Sequence, residues 1–218
     1  MADAQLPSPT DPAATVSEQE LRVIACLDRS SSMVRFEKYA LVSALFPRAI
    51  AQLAAVSKRA WVETWWFAQD VVCYAELQPA ALAMGPNSLE YRRALEAGSA
   101  ISDCIVRAVH RAEAIQRERG NGSTRIVVWT DGWNRLARTT SGAARETMAA
   151  YPNHEVFLVG FVDRAIRAKL DDFVTEIGLP ASRVMLFEHE DNRQDTQRAA
   201  EASSRAFGET LRIWRPPA

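Results

Sequence analysis

Two segments of the sequence place an aspartate at the end of an apolar run. Residues 22–28 have the sequence RVIACLD and continue as RSSS, and residues 125–131 have the sequence RIVVWTD and continue with a glycine. Such continuous apolar runs are typical of strands buried on both faces of a parallel sheet. Ligands of these sheets bind beyond the carboxyl ends of the strands. We therefore expect Asp28 and Asp131 to lie near each other at that edge.

Hydroxyl side chains accompany both aspartates. Asp28, Ser30 and Ser32 are spaced by two, which points their side chains the same way in an extended segment. Ser99 precedes a predicted helix, where its hydroxyl can face the same edge. Carboxylate and hydroxyl oxygens are hard ligands of the kind that Mg²⁺ prefers. The sequence predicts a site for Mg²⁺, or for Mn²⁺ or Ca²⁺, with these ligands: Asp28, Ser30, Ser32, Ser99 and Asp131. Its few anionic ligands would leave room for a carboxylate from a partner. The alternative is structural: the serines and Asp131 only cap the helices that follow.

The remaining elements must position these residues. Apolar patterns predict strands at 22–28, 61–68, 71–77, 124–130, 154–162 and 183–188. Helices are predicted at about 35–56, 88–96, 101–119, 142–150, 163–177 and 193–212, the first kinked or restarted at Pro47. The link between the second and third strands is too short for a crossover, so this pair must be antiparallel. The alternation predicts a doubly wound, mostly parallel α/β sheet of six strands with one antiparallel strand.

Domain organisation follows from the same patterns. Residues 1–20 are rich in Ala, Pro, Ser and Thr without periodicity, which predicts a flexible tail. We expect a single domain over 21–213 and a short C-terminal tail at 214–218.

On these motifs the chain resembles von Willebrand factor type A (vWA) domains that carry a metal-ion-dependent adhesion site (MIDAS), over about 21–213. The family motif is Asp-x-Ser-x-Ser, then a Thr in a later loop, then an Asp commonly followed by Gly. Residues 28–32 have the sequence DRSSS, Ser99 stands at the Thr position, and Asp131 precedes a glycine. Ser99 keeps the hydroxyl but lacks the β-methyl that stiffens Thr. Arg29 adds a cation inside the motif, which would either weaken metal binding or pair with an acidic partner.

The resemblance implies strand order 3-2-1-4-5-6 and metal-dependent protein binding without catalysis, with an Asp or Glu of the partner completing the metal's ligands. Related intracellular bacterial proteins suggest an adaptor or regulatory subunit beside an AAA+ ATPase or a kinase/phosphatase system. The helix at 193–212 would then move on binding, next to Trp214. We expect Arg29 to contact the partner. Trp133 either contacts the partner too, since Trp is enriched at binding hot spots, or packs under a loop.

Two alternatives stay open at this point. The first is a metal-free assembly module of the same fold, which Arg29 favours. The second is a Mg²⁺-dependent phosphoester hydrolase, although Ser30 stands where an aspartyl phosphatase usually has its second acid. The sequence contains no GxxxxGK phosphate loop, no strand–GxGxxG–helix unit and no GxSxG elbow. We therefore predict that the protein is not an enzyme.

Composition limits the remaining classes. The formal net charge is −1 with scattered charges, so no basic surface for nucleic acid or an anionic membrane is expected. Three widely spaced cysteines do not suggest a disulfide framework. No apolar run is long enough to span a bilayer, and no basic start precedes an apolar core. We expect a soluble cytoplasmic protein.

Overall fold

The computed structural model describes residues 20–188, except 121, 133, 135 and 165. Six strands form one sheet: β1 (Leu21–Asp28), β2 (Ala60–Phe67), β3 (Val71–Pro79), β4 (Ser123–Thr130), β5 (His154–Val162) and β6 (Val184–Glu188). The strand order is β3-β2-β1-β4-β5-β6, with β2 and β3 antiparallel and all other pairs parallel. The predicted fold class and strand order are confirmed.

Within the described residues, five α-helices flank the sheet: α1 (Lys38–Val56), α2 (Ser88–Arg93), α3 (Ile101–Arg119), α4 (Ser141–Ala150) and α5 (Arg167–Ile177). Short 3₁₀ helices cover Ser31–Glu37, Ala80–Leu82 and Ala181–Arg183. The side chains of Asn87 and Thr140 cap α2 and α4 by accepting hydrogen bonds from backbone N–H groups three residues on. All helices predicted within the described residues are present, with shifts of a few residues at their ends.

The first helix differs most from its prediction. A 3₁₀ helix covers Ser31–Glu37, Glu37 adopts a left-handed conformation (φ 52°, ψ 34°), and α1 begins at Lys38. α1 continues through Pro47 to Val56, so of the two predicted alternatives, a kink or a restart, the restart does not occur. The buried side chains of Phe46 and Ile50 hold the helix against the sheet on both sides of Pro47. Tertiary packing therefore overrides the local cost of proline.

The core lies on both faces of the sheet, as the apolar runs predict. Val23, Ala25 and Leu27 of β1 face the layer that contains α1 and α2. Ile24 and Cys26 face the layer of α3, α4 and α5. Both layers are needed to bury β1 completely, which places the end of this strand inside the molecule.

Some expectations lie outside the described residues. These are the tails at 1–20 (apart from residue 20) and 214–218, the helix at 193–212, and the side chains of Trp133 and Trp214. Along the part of the chain that is described, none of the helices combines the length and apolar character needed to cross a bilayer.

Candidate functional site

The candidate site lies where β1 and β4 end side by side. Asp28 is the last residue of β1, and Asp131 directly follows β4. The Asp28 carboxylate accepts a hydrogen bond from the backbone N–H of Ser30 (2.8 Å) on one oxygen. Its other oxygen accepts from the hydroxyls of Ser99 (3.0 Å) and Thr130 (2.5 Å). The structure thus brings Ser99 to Asp28, although the two are far apart in sequence.

The two remaining predicted hydroxyls are adjacent. The Oγ atoms of Ser30 and Ser32 lie 2.8 Å apart, with Ser30 buried and Ser32 half-buried. Ser30 occupies the N-cap position of the 3₁₀ helix but makes no capping hydrogen bond with its side chain. This geometry disfavours the alternative in which the serines only cap a helix. We call Asp28, Ser30, Ser32, Ser99, Thr130 and Asp131 the strand-end cluster.

The loop that carries the serines is fixed by backbone contacts. The N–H of Ser31 donates to the carbonyl of Glu96 (2.6 Å), and the N–H of Glu96 donates to the carbonyl of Arg29 (2.9 Å). The hydroxyl of Tyr91, which is buried, donates to the carbonyl oxygen of Asp28. These bonds hold the serine hydroxyls in place before any ligand arrives.

The cluster contains two fully buried carboxylates. The pKa of Asp28 is raised from 3.8 to about 7, first by burial and second by the like charge of Asp131. Hydrogen bonds from Thr130 and Ser30 act in the opposite direction. The Oδ1 atom of Asp131 is buried and has no hydrogen-bond partner among the described residues. A buried acceptor of this kind requires a cation or a donor.

Lys38 and Asp163 extend the cluster, and the sequence analysis did not single out Lys38. The fully buried Nζ of Lys38 lies 3.3 Å from Oδ2 of Asp131 and 3.8 Å from Oδ2 of Asp163. Asp163 caps the turn before α5, since its Oδ1 accepts from the N–H of Ile166 (3.1 Å). From the sequence, Asp163 is expected to cap a helix and to be solvated, because it ends an outer strand. The capping is confirmed, whereas the expected solvation is wrong, because the side chain of Asp163 is buried.

Arg29 is held within the chain. Its Nη1 lies 2.6 Å from Oε1 of Glu96 and 3.4 Å from the carbonyl of Ala94. Its guanidinium also lies over the ring of Trp66, 5.9 Å from the centroid. The cation that the sequence places inside the motif is therefore neutralised by Glu96. A role for Arg29 and Trp133 in partner binding stays a prediction.

The donor chemistry fits a hard divalent cation better than zinc. Within residues 20–188, as far as they are described, no group of three or more His, Cys, Asp or Glu side chains is arranged to hold a metal. The strand-end cluster instead offers hydroxyl oxygens and two carboxylates, and Oδ1 of Asp131 has no hydrogen-bond partner among the residues that the structure describes. Oxygen ligands with few formal charges are compatible with Mg²⁺, which commonly retains water.

Comparisons with solved structures identify the architecture. The vWF domain of the type V pili tip protein Mfa5 from Porphyromonas gingivalis matches with a TM-score of 0.62 and 10% identity, over 92% of this chain and 98% of that one. The SpRpn10 VWA domain matches with a TM-score of 0.52 and 11% identity, over 84% of this chain and 95% of that one. A von Willebrand factor type A protein from Catenulispora acidiphila matches with a TM-score of 0.55 and 14% identity, over 88% of this chain. The chain spans only 43% of that protein's length.

Comparisons of the sequence alone give no match. No family model matches the chain, and no curated protein matches it. At identities of 10–14%, the structural likenesses describe the fold alone. The protein has the vWA-type, Rossmann-like α/β fold.

Proposed function

We propose that this protein is a protein-binding module whose strand-end cluster holds a divalent cation. One observation carries the proposal: hydroxyls and carboxylates from three separate segments converge at one buried edge, where Oδ1 of Asp131 lacks a partner among the described residues. Ser30, Ser32 and Ser99 would supply hydroxyl oxygens, and Asp28 and Asp131 would supply charge.

Each residue of this proposed site has a distinct task. Because the hydroxyl of Ser99 donates to Asp28, its lone pairs remain available to a cation. Asp28 thus orients a ligand and balances charge. The adjacent Oγ atoms of Ser30 and Ser32 present two further oxygens from one fixed loop. A bound Mg²⁺ would offer a coordination position to an Asp or Glu carboxylate of the partner protein.

Binding fits the geometry better than catalysis. An aspartyl nucleophile needs a free oxygen near the reacting atom. Both oxygens of Asp28 are engaged by hydrogen bonds from Ser30, Ser99 and Thr130, and the side chain is fully buried. Ser30 also occupies the position at which an aspartyl phosphatase usually has a second acid. We therefore propose a module without catalytic activity of its own.

A metal-free assembly module is the second candidate. The observation that favours it is Lys38, whose ammonium already lies 3.3 Å from Asp131 and supplies one internal cation. In that case the loop and its edge would bind a partner by shape and hydrogen bonding, independent of divalent ions.

The expected setting also remains part of the proposal. The resemblance to the vWA family points to an adaptor or regulatory subunit beside an AAA+ ATPase or a kinase/phosphatase system. A cytoplasmic location is consistent with the free thiols of Cys26, Cys73 and Cys104.

Thermal unfolding with and without Mg²⁺ or Mn²⁺ tests the cation site. Any ligand that binds only the native state raises the unfolding temperature. We expect a rise in the wild type and a smaller rise in Ser32→Ala, which removes one proposed ligand without touching Asp28. Ser31→Ala is the matched control, because Ser31 is an exposed neighbouring serine outside the ligand set. An equal rise in all three proteins would contradict the assigned ligands.

Affinity capture from cell extract tests the function itself. Proteins retained by the wild type in Mg²⁺ should be released by EDTA and should not be retained by Asp28→Ala. If the partner proteins are retained in the presence of EDTA and also by Asp28→Ala, the result would support the metal-free module instead.

A further inference from the structure

Lys38 is the one lysine buried within the described part of the chain. The other two lysines, Lys58 and Lys169, are exposed. Lys38 is the first residue of α1, ten residues after Asp28, and its side chain is 0% exposed. A buried ammonium is tolerated only when it is paired. Here the partners are the carboxylates of Asp131 and Asp163.

The backbone before α1 turns sharply to bring Lys38 inward. Glu37 adopts the left-handed conformation (φ 52°), the one non-glycine residue with positive φ in the described part of the chain. A left-handed residue that is neither Gly, Asn nor Asp is unfavourable and persists only where surrounding contacts require it. The change from the 3₁₀ helix to α1 at this point sets which residue of α1 faces the strand ends.

The formal charges show what Lys38 does to the site. Asp28, Asp131 and Asp163 carry three negative charges when ionised. Lys38 and Arg35 contribute two positive charges. The Nη1 atom of Arg35 lies 3.7 Å from Oδ2 of Asp163. The neighbourhood of the strand-end cluster therefore has a net formal charge near −1. A divalent cation bound to Asp131 would lie close to the ammonium of Lys38, which contacts the same carboxylate. Two positive charges that are buried near each other repel strongly.

We propose that Lys38 is a built-in counter-cation that limits how tightly the free protein holds a divalent cation. This inference rests on the proposed cation site. The ammonium neutralises one face of Asp131 through Oδ2 and leaves Oδ1 for the incoming ion. Lys38 thus makes the site weak without removing any of its ligands.

The test replaces the charge and measures cation binding directly. Mn²⁺ is titrated calorimetrically into the wild type, Lys38→Met and Lys38→Arg, with Lys58→Met as control. Lys58 is exposed, and it lies two residues before Ala60, the first residue of β2, at the opposite end of that strand from the cluster. We expect Lys38→Met to bind Mn²⁺ about tenfold more tightly or better. Lys38→Arg, which keeps the charge, and Lys58→Met should bind as the wild type does.

A second measurement covers a loss of folding. Lys38→Met leaves Asp131 without its cation, so we expect a lower unfolding temperature than wild type in EDTA and a larger recovery on adding Mn²⁺. A Lys38→Met protein that stays unfolded in excess Mn²⁺ would overturn the inference.

The outcomes separate the two proposals. If the wild type and Lys38→Met bind Mn²⁺ with equal affinity, the role of Lys38 is refuted while the cation site stands. If neither protein binds Mn²⁺, both the site and this role are refuted.

Discussion

The raised pKa of Asp28 predicts an unusual pH dependence for the metal-free protein. Its carboxyl titrates near pH 7 in the folded state, against an ordinary value of 3.8. Between these values the folded state binds more protons than the unfolded state. The free energy of unfolding therefore falls as the pH rises from about 4 to about 7, and this contribution levels off above that range.

The magnitude follows from the difference between the two pKa values. Each tenfold change in proton affinity corresponds to about 1.4 kcal/mol. The ionisation of Asp28 therefore lowers the free energy of unfolding by at most about 4 kcal/mol between about pH 4 and about pH 7. That is a large share of the stability of a typical domain, which is about 5–15 kcal/mol. Burial is the main cause, with the neighbouring charge of Asp131 second. The cost should shrink when Mg²⁺ is added, because a cation favours the ionised carboxylate.

Urea unfolding from about pH 5 to about pH 8 in EDTA measures this contribution. Asp28→Asn stays neutral throughout, and its side chain still accepts the N–H of Ser30. We expect the wild type to lose stability with rising pH and Asp28→Asn to lose much less. Asp70→Asn is the control, since Asp70 lies at the exposed turn of the β2–β3 hairpin with its side chain 70% exposed. Parallel pH profiles for the wild type and Asp28→Asn would refute the argument.

Three further predictions concern the frame of the site, each measured by urea or thermal unfolding. Arg111→Ala should cost about 3 kcal/mol, because it leaves the 2%-exposed Glu63 without its bidentate partner at 3.0–3.1 Å; a loss below about 1 kcal/mol would contradict this. Gly132→Ala should cost about 2 kcal/mol, because φ is +90° there and a Cβ would lie 2.7 Å from Leu170; an unchanged midpoint would argue against strain. Tyr91→Phe should cost about 1–2 kcal/mol by leaving the last carbonyl of β1 without its donor, and a neutral effect would show that this bond is replaced.

The fold was predictable because its central strands, β1 and β4, are nearly pure apolar runs. β1 and β4 are buried on both faces, which only a covered parallel sheet provides. The three-residue link before β3 allows only antiparallel pairing with β2. Helix ends were less predictable. Neither the 3₁₀ helix at 31–37 nor the unbroken passage through Pro47 follows from local propensity, since packing against the sheet decides both.

The site was predictable where it depends on strand ends. Asp28 and Asp131 meet because β1 and β4 are neighbours, and Ser99 joins them by donating a hydrogen bond to Asp28. The sequence did not predict Thr130 as part of the cluster, because Thr130 lies within an apolar run, where a β-branched residue is typical of a strand. Its side chain is nevertheless fully buried, and its hydroxyl donates a hydrogen bond to Asp28. A hydroxyl directly before a strand-end acid was the available signal.

Lys38 shows why the charge balance of such a cluster is harder to predict than the positions of its acids. The positions of the acids follow from β1, β4 and β5 lying side by side, so their carboxyl ends share one edge. Whether a cation of the chain reaches that edge depends on how α1 begins, and here the left-handed residue Glu37 directly precedes Lys38. Periodicity places Lys38 on the first helix without saying that it points inward. The same acids with a lysine turned to solvent would make a more negative site, and we expect that site to hold a divalent cation more tightly.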